Sequence, residues 1–326
     1  CCTKALPPRG CKTLGILLFM RVPLPAAMIT TSNAAMSLFL CIPRIIGHAL
    51  LGLALLLLGG CSTLRLAYNQ SDTVVYWWVD RHVDLTAEQK TLVRSALADL
   101  QTWHRQTQLP EYIALLQRVR AMAPRDITSD EVCSITQEAQ ASYRRLLHQI
   151  EPAATQLLAH LKPEQLRNIQ RRYDLGNDEW REEWLDGSAE KRLRHRMQQA
   201  TKRLEDFYGR LEPGQRERLQ QWLEGTGYDP SVSYAERLRR QQDSLQTFER
   251  MRQVGGANAS TQALLQGWVD RGFTSPVARH REHAQSVWQM NCKGFAQWHN
   301  QTTPEQRQRL ASTLLGYEND LRAVMR

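Results

Sequence analysis

From residue 61 onward, apolar residues recur almost everywhere at the period of an α-helix, as in Leu92, Leu97 and Leu100, then Ile113, Leu116 and Val119, then Leu204, Phe207 and Leu211. No stretch alternates over several residues with β-branched and aromatic types, so strands are not expected. Pro110, Pro124, Pro152, Pro163, Pro213, Pro230, Pro276 and Pro304 each fall near an expected helix start. Gly176, Gly187, Gly225-Thr226-Gly227 and Gly255-Gly256 fall near expected ends. The fold class is therefore all-α, with about ten helices. Residues 253–261 make the best linker and 225–231 the second. The first divides a helical domain, 61–252, from C-terminal helices, 262–326, expected to pack on the same bundle. The apolar content of this body is lean for a globule, which favours an elongated multi-helix bundle with grooves.

The segment before residue 61 reads as an address. The apolar run 49–58 ends at Leu58-Gly59-Gly60-Cys61-Ser62, and small residues before a cut after a short apolar stretch describe a secretory signal peptide. The same residues resemble the bacterial lipobox. That resemblance implies cleavage between Gly60 and Cys61, lipidation of Cys61, and, with Ser rather than Asp next, sorting to the outer membrane. Pro43, Arg44 and His48 interrupt any backward extension to the ~20 apolar residues a membrane span needs. A start at Met36 makes 36–60 a signal peptide of ordinary size, with 1–35 an N-terminal extension outside the fold.

This division changes the meaning of the charge. The whole chain of 326 residues carries 42 Lys+Arg against 33 Asp+Glu, a formal +9. Residues 1–60 hold Lys4, Arg9, Lys12, Arg21 and Arg44 and no acid, so +5 belongs to the leader and +4 to the body. A secreted, nearly balanced body excludes nucleic acid as a partner.

One frame recurs: Leu85-Thr86-Ala87-Glu88-Gln89, Leu161-Lys162-Pro163-Glu164-Gln165, Leu211-Glu212-Pro213-Gly214-Gln215 and Thr302-Thr303-Pro304-Glu305-Gln306. Its physical content is a helix N-terminus, with Thr86 or Thr303 as N-cap and Gln89 or Gln306 completing a capping box. Lys162 and Glu212 are poor N-caps, so those copies keep the frame and lose part of the box. The spacing is too irregular for a solenoid. The frame resembles the Leu-Thr-x-x-Gln motif of periplasmic, all-helical, ATP-independent stress chaperones, which implies client-protein holding. A fuller resemblance is to a family of uncharacterised Gram-negative envelope lipoproteins. It rests on Leu66-Ala67-Tyr68-Asn69, Trp77-Trp78-Val79-Asp80, Gln89, Trp103-His104, Thr107-Gln108-Leu109-Pro110, Tyr112, Arg203-Leu204-Glu205 and Gln215-Arg216. It covers residues 58–225 and implies a helical envelope lipoprotein without specifying an activity.

Candidate chemistry is sparse. His280 and His283 share a helical face with Cys292 two to three turns on, but no further ligand matches the spacing, and solvated histidines are expected rather than a metal site. No familiar catalytic signature occurs, so no enzyme, metal or cofactor is expected. Cys133 and Cys292 are the cysteines left after the anchor; they form either a disulfide closing a loop of about 160 residues or two buried thiols. Residues 191–203 contain Lys191, Arg192, Arg194, Arg196, Lys202 and Arg203 and no acid, whereas 178–186 are rich in Asp and Glu. These stretches form either two complementary solvated faces or a basic patch facing the membrane. Tryptophans such as Trp103, Trp222 and Trp298 are expected to supply packing bulk. Trp77 and Trp78 cannot both face one core, because neighbouring helical positions diverge by about 100°.

The expected function is that of an outer-membrane-anchored periplasmic lipoprotein with a binding or scaffold role, client holding being one version. Its partners are the membrane, through the lipid anchor, and an envelope protein. The alternatives are an envelope hydrolase or its regulator, and a binder of anionic lipid or lipopolysaccharide.

Overall fold

A computed structural model describes residues 63–326, and every regular element among them is helical. In chain order these are α1 (Thr63–Asn69), α2 (Ser71–Val83), α3 (Ala87–Trp103), α4 (Leu109–Met122), α5 (Ser129–Ala159), α6 (Pro163–Trp180), α7 (Ala189–Tyr208), α8 (Pro213–Gly225), α9 (Pro230–Val254), α10 (Ala259–Phe273), α11 (Ala278–His299) and α12 (Pro304–Val324). Short π-helical turns, His104–Gln108 and Arg181–Leu185, follow α3 and α6. α1 runs almost without a break into α2, since Gln70 N–H donates to the Leu66 carbonyl and Val74 N–H to the Gln70 carbonyl.

The four recurring frames begin α3, α6, α8 and α12, and they work in two pairs. Thr86 and Thr303 accept at their hydroxyls from Gln89 N–H and Gln306 N–H, and each glutamine accepts the N-cap N–H in return. Lys162 and Glu212 supply no side-chain cap, and Gln165 N–H and Gln215 N–H donate instead to their N-cap carbonyls. Across the fold, the Gln89 and Gln165 amides donate to one another at 3.2 and 2.6 Å. The Gln215 and Gln306 amides do the same at 2.7 and 3.0 Å. Gln89 also donates to the His160 carbonyl, Gln165 to Asp84, and Gln306 to Arg210. A glutamine amide offers two donors and two acceptor sites. Gln89, Gln165 and Gln306 use all four, and all four glutamines are buried.

Each pair sits beside its own apolar core. The first gathers Tyr76, Val83, Leu85, Val93 and Leu97 with Leu161, Ile169, Phe248, Met251 and Leu265. The second gathers Ala123, Leu204, Tyr208, Leu211, Leu219 and Leu223 with Trp298, Leu310 and Leu314. Leu85, Leu161 and Leu211, each immediately before an N-cap, are core residues, so these helix entries tie the paired ends to the packing. Met251 and Leu219 are fully buried, each contributing on the order of 1.5–3 kcal/mol.

Long helices join the two cores. α5 packs on α3, α9 and α10 and also on α11, while α11 packs on α8. The α5–α11 seam is antiparallel, as its cross-links show. Cys133 is disulfide-bonded to Cys292, with Cα atoms 5.5 Å apart, and Trp288 Nε1 donates to Thr136 Oγ1. Just before α5, Ile127 exchanges two hydrogen bonds with the Asn300 side chain at 2.8 and 3.0 Å.

Three punctuation marks act differently from the sequence expectation. Pro152 lies inside α5 rather than at a start. It is exposed, so the hydrogen bond it cannot donate is lost on a face where water can replace it. Gly176 lies inside α6 rather than at its end, where Arg237 Nη2 donates to its carbonyl and a Cβ would stand 3.1 Å from that nitrogen. The expected linker, residues 253–261, is helical at both ends, and 255–258 form a tight turn that folds α10 back along α9. Gly255 and Gly256 take the positive φ the reversal needs, and the buried Thr261 hydroxyl donates to the Gly256 and Asn258 carbonyls. The C-terminal helices are interleaved with the earlier ones, α12 lying along α4 and α11 along α5.

Two stability measurements follow from this architecture. Gln215→Ala and Gln306→Ala should each cost about 1–3 kcal/mol in denaturant unfolding, because each strands its buried partner. The double variant should cost less than the sum by at least about 0.5 kcal/mol, and strict additivity would show that the amides do not act as a pair. Reducing the Cys133–Cys292 bond should lower the unfolding free energy by about 4–5 kcal/mol, given the length of loop it closes. An unchanged denaturation midpoint would rule out that contribution.

Candidate functional site

Gly60 and Cys61, the expected cleavage and lipidation sites, lie outside the described residues. The helical body begins at Thr63, so only Ser62 separates Cys61 from α1.

The basic residues 191–203 lie on α7, which follows the π turn Arg181–Leu185 and packs on α8 and α12. A cleft of about 560 Å³ opens between that turn, α7, α8 and the start of α9, with Trp184, Arg192, Arg196, Glu224 and Tyr228 on its walls. The arginines are largely spent on the fold. Arg192 donates to the Leu185 and Gly187 carbonyls, and Arg194 pairs with Glu190. Arg196 donates to the Leu223 carbonyl and Thr226 Oγ1 at 2.8 and 2.9 Å, with its guanidinium over the Tyr228 ring. Lys191, Lys202 and Arg203 are exposed. The acidic stretch supplies a partner as well, with Glu183 Oε1 3.2 Å from His195 Nε2. This helix end thus combines aromatic faces with charge that is partly compensated.

A second cleft, about 570 Å³, lies between α8 and α11 and is lined by Arg218, Trp222, Met290, Lys293 and Trp298 among others. Gly294 shapes it: a Cβ there would come within 2.1 Å of the Trp222 ring. Trp298 is buried and donates from Nε1 to the Gln215 carbonyl, which links this cleft to the second glutamine pair. Next to it, His299 Nε2 lies 3.0 Å from the Arg125 carbonyl, which can only accept. Nε2 therefore carries the proton, and Nδ1 accepts from Tyr208 Oη at 2.8 Å. Burial holds the His299 pKa below its usual value and raises that of Tyr208, so both stay neutral.

A third cluster, to which the sequence reading assigned no role, surrounds the π turn His104–Gln108. Tyr68 on α1 shares a 3.0 Å hydrogen bond with His104 Nδ1, and the Tyr112 ring stands edge-on to the imidazole at 5.3 Å. Arg105 donates to Asn69 Oδ1, and Gln101 to the Tyr68 carbonyl. Burial pulls the His104 pKa down to about 4 and pushes that of Tyr112 up to about 12. Tyr68, His104 and Tyr112 are all among the residues of the family resemblance, but nothing in the sequence places them together, because their proximity depends on α1 folding back onto the turn. π turns often mark functional sites, and here the extra residue brings His104 under α1.

The buried carboxylates are clamped rather than poised for proton transfer. Burial acts to raise the Glu236 pKa, but hydrogen bonds from Arg239, Arg240 and Ser275 outweigh it and bring it to about 2. A hydrogen bond from Gln117, with Arg322 and Arg120 beside it, likewise holds the buried Glu318 below the usual range. Cys292 is in the disulfide and His283 Nε2 accepts from Asp229 N–H, so the His280, His283 and Cys292 grouping does not form a ligand set. Among the described residues no cluster of three His, Cys, Asp or Glu side chains is arranged to hold a metal ion, and no helix is long and apolar enough to cross a membrane.

The His104 shift sets a pH dependence. The folded pKa lies below the unfolded value near 6.5, so the unfolded chain takes up the proton first. Stability from this group should be complete above pH 6.5, decline as pH falls from 6.5 towards 4, and change little below that. His104→Asn should flatten the wild-type loss of unfolding free energy between pH 7.5 and 5. Equal slopes in the two proteins would mean that His104 is not held neutral.

No curated protein and no solved structure matches the chain. Residues 81–266, more than half of the sequence and spanning the end of α2 through the first half of α10, match a family of unknown function, DUF6279, and the chain belongs to that family.

Proposed function

We propose that this chain is a lipid-anchored protein of the outer membrane, with its helical body in the periplasm and a non-catalytic binding or scaffold role in the envelope. The observation that carries the reading is Leu58-Gly59-Gly60-Cys61 at the end of the apolar run 49–58, one residue before the helical body begins. The Cys133–Cys292 disulfide supports it, because such bonds persist in oxidising compartments. Binding rather than catalysis is supported by two clefts walled with tryptophan, tyrosine and methionine and by buried carboxylates locked to arginine. Holding of unfolded clients is one form of this role, and the glutamine frame shared with the stress chaperones motivates it.

Expression of the full chain in a Gram-negative cell with an alkyne-bearing palmitate analogue tests the anchor. Label should enter the wild type, co-fractionate with outer membrane, and vanish in Cys61→Ser; an unlabelled wild type would reject it. Client holding predicts that the purified protein slows aggregation of an unfolded client without ATP. Aggregation unchanged at molar excess would eliminate that form and leave the scaffold role, whose partner crosslinking in intact envelopes should recover.

A further inference from the structure

The helix next to the expected anchor has two unlike faces. Its inner face is fastened to the body: Arg65 pairs with Asp320 of α12 at 3.1 Å, Tyr68 meets His104, and Tyr76 is buried in the first core beneath the Arg94 guanidinium. Its outer face carries a row at helical spacing, Leu66, Gln70, Val74, Trp77 and Arg81, all exposed. Leu66 is 59% exposed and Trp77 63%, the two most exposed large hydrophobic side chains among the described residues, and both lie on this one row. Trp78 is half-buried, its ring 4.2 Å from that of His82 one turn on, so the neighbouring tryptophans differ in exposure.

We propose that the outer face of α1–α2 docks on the phospholipid bilayer surface, with Trp77, Val74 and Leu66 seated at the headgroup–acyl boundary. This rests on the membrane-anchored reading above and adds to it an orientation. The length of chain before α1 selects the occupant. Cys61 and Thr63 are two peptide units apart, at most about 7 Å, so acyl chains on Cys61 hold the start of α1 at the lipid surface. The row then runs along α1–α2 from that point, rigidly placed by its inner-face contacts. Its chemistry suits an interface. Tryptophan favours the headgroup level, aliphatic side chains the acyl boundary, and an arginine at the far end can meet lipid phosphate. A rigid second contact fixes how the body stands on the membrane, which a single tether cannot do.

The test uses the full-length mature protein reconstituted in phosphatidylethanolamine–phosphatidylglycerol vesicles with or without bromine on the acyl chains. Bromine quenches nearby indoles, so tryptophan fluorescence should fall in brominated vesicles, and the quenched amplitude should be at least halved in Trp77→Phe. Val74→Glu should also reduce it. Both sites are exposed, so both variants should retain the wild-type thermal unfolding. The mass of the N-terminal peptide independently reports whether Cys61 carries lipid. Lipidated protein with equal quenching in wild type and Trp77→Phe would overturn the docking and leave the anchor standing, as would a protein partner covering this face. Unlipidated protein that still shows Trp77-dependent quenching would support the docking and overturn the lipid anchor. Absence of both lipid and quenching would overturn both.

Discussion

The paired glutamine amides hold together helix ends that electrostatics would separate. Two helix N-termini meeting end to end bring like partial charges together and leave unsatisfied N–H groups in a buried place. Gln89–Gln165 and Gln215–Gln306 resolve both problems, since each amide accepts its own N-cap N–H and exchanges bonds with its partner. Glu88, Glu164 and Glu305 in the first turns, and Glu212 at an N-cap, add compensating negative charge. Oriented backbone N–H groups hold the Glu88 and Glu305 carboxyls below their ordinary range, as the field of a helix N-terminus requires. Because Leu85, Leu161 and Leu211 stand beside these amides and inside the cores, the two cores are positioned by the two pairs.

The remainder of the fold is fastened by polar contacts at distances in sequence that no local pattern reveals. The α5–α11 seam joins the cores covalently and through the Asn300–Ile127 exchange. Glu151 reaches Gln262 and Gln266 on α10, and Glu318 reaches Gln117 on α4. Arginine is the commonest partner, and this use explains why a cationic stretch of α7 does not amount to a cationic surface. Arg192 and Arg196 neutralise the carbonyl ends of the π turn and of α8, as cations do at helix C-termini. What remains outward at that end is a small set of exposed side chains rather than a continuous field.

Much of the helical punctuation was legible because it is local chemistry. Thr86, Thr303 and the proline starts at 163, 213, 230 and 304 act within one turn of their own position. Pro152 and Gly176 were misread because each takes its meaning from exposure or from a distant arginine. The glutamine pairing had a visible sign. A capping box accepts Glu or Gln, yet all four paired frames use Gln, while the unpaired box at Thr128 uses Glu131, which turns to Arg125 at the surface. Of the two side chains only the amide both donates and accepts, so Gln rather than Glu is what reciprocal bonding requires. The Tyr68, His104 and Tyr112 cluster had no comparable sign, since nothing local states that α1 returns to the turn after α3.

The sequence by itself determined the helical class, the position of most helix starts, and the break in character at Cys61, because periodicity, capping and charge balance act over a few neighbouring residues. Only the tertiary structure decided which helix ends meet, that Cys133 faces Cys292, which arginines are consumed internally, and that Trp77 is left more exposed than Trp78. Each of these depends on which side of a helix another helix covers. That choice is made by the sum of packing over both cores, so no single stretch of sequence contains it.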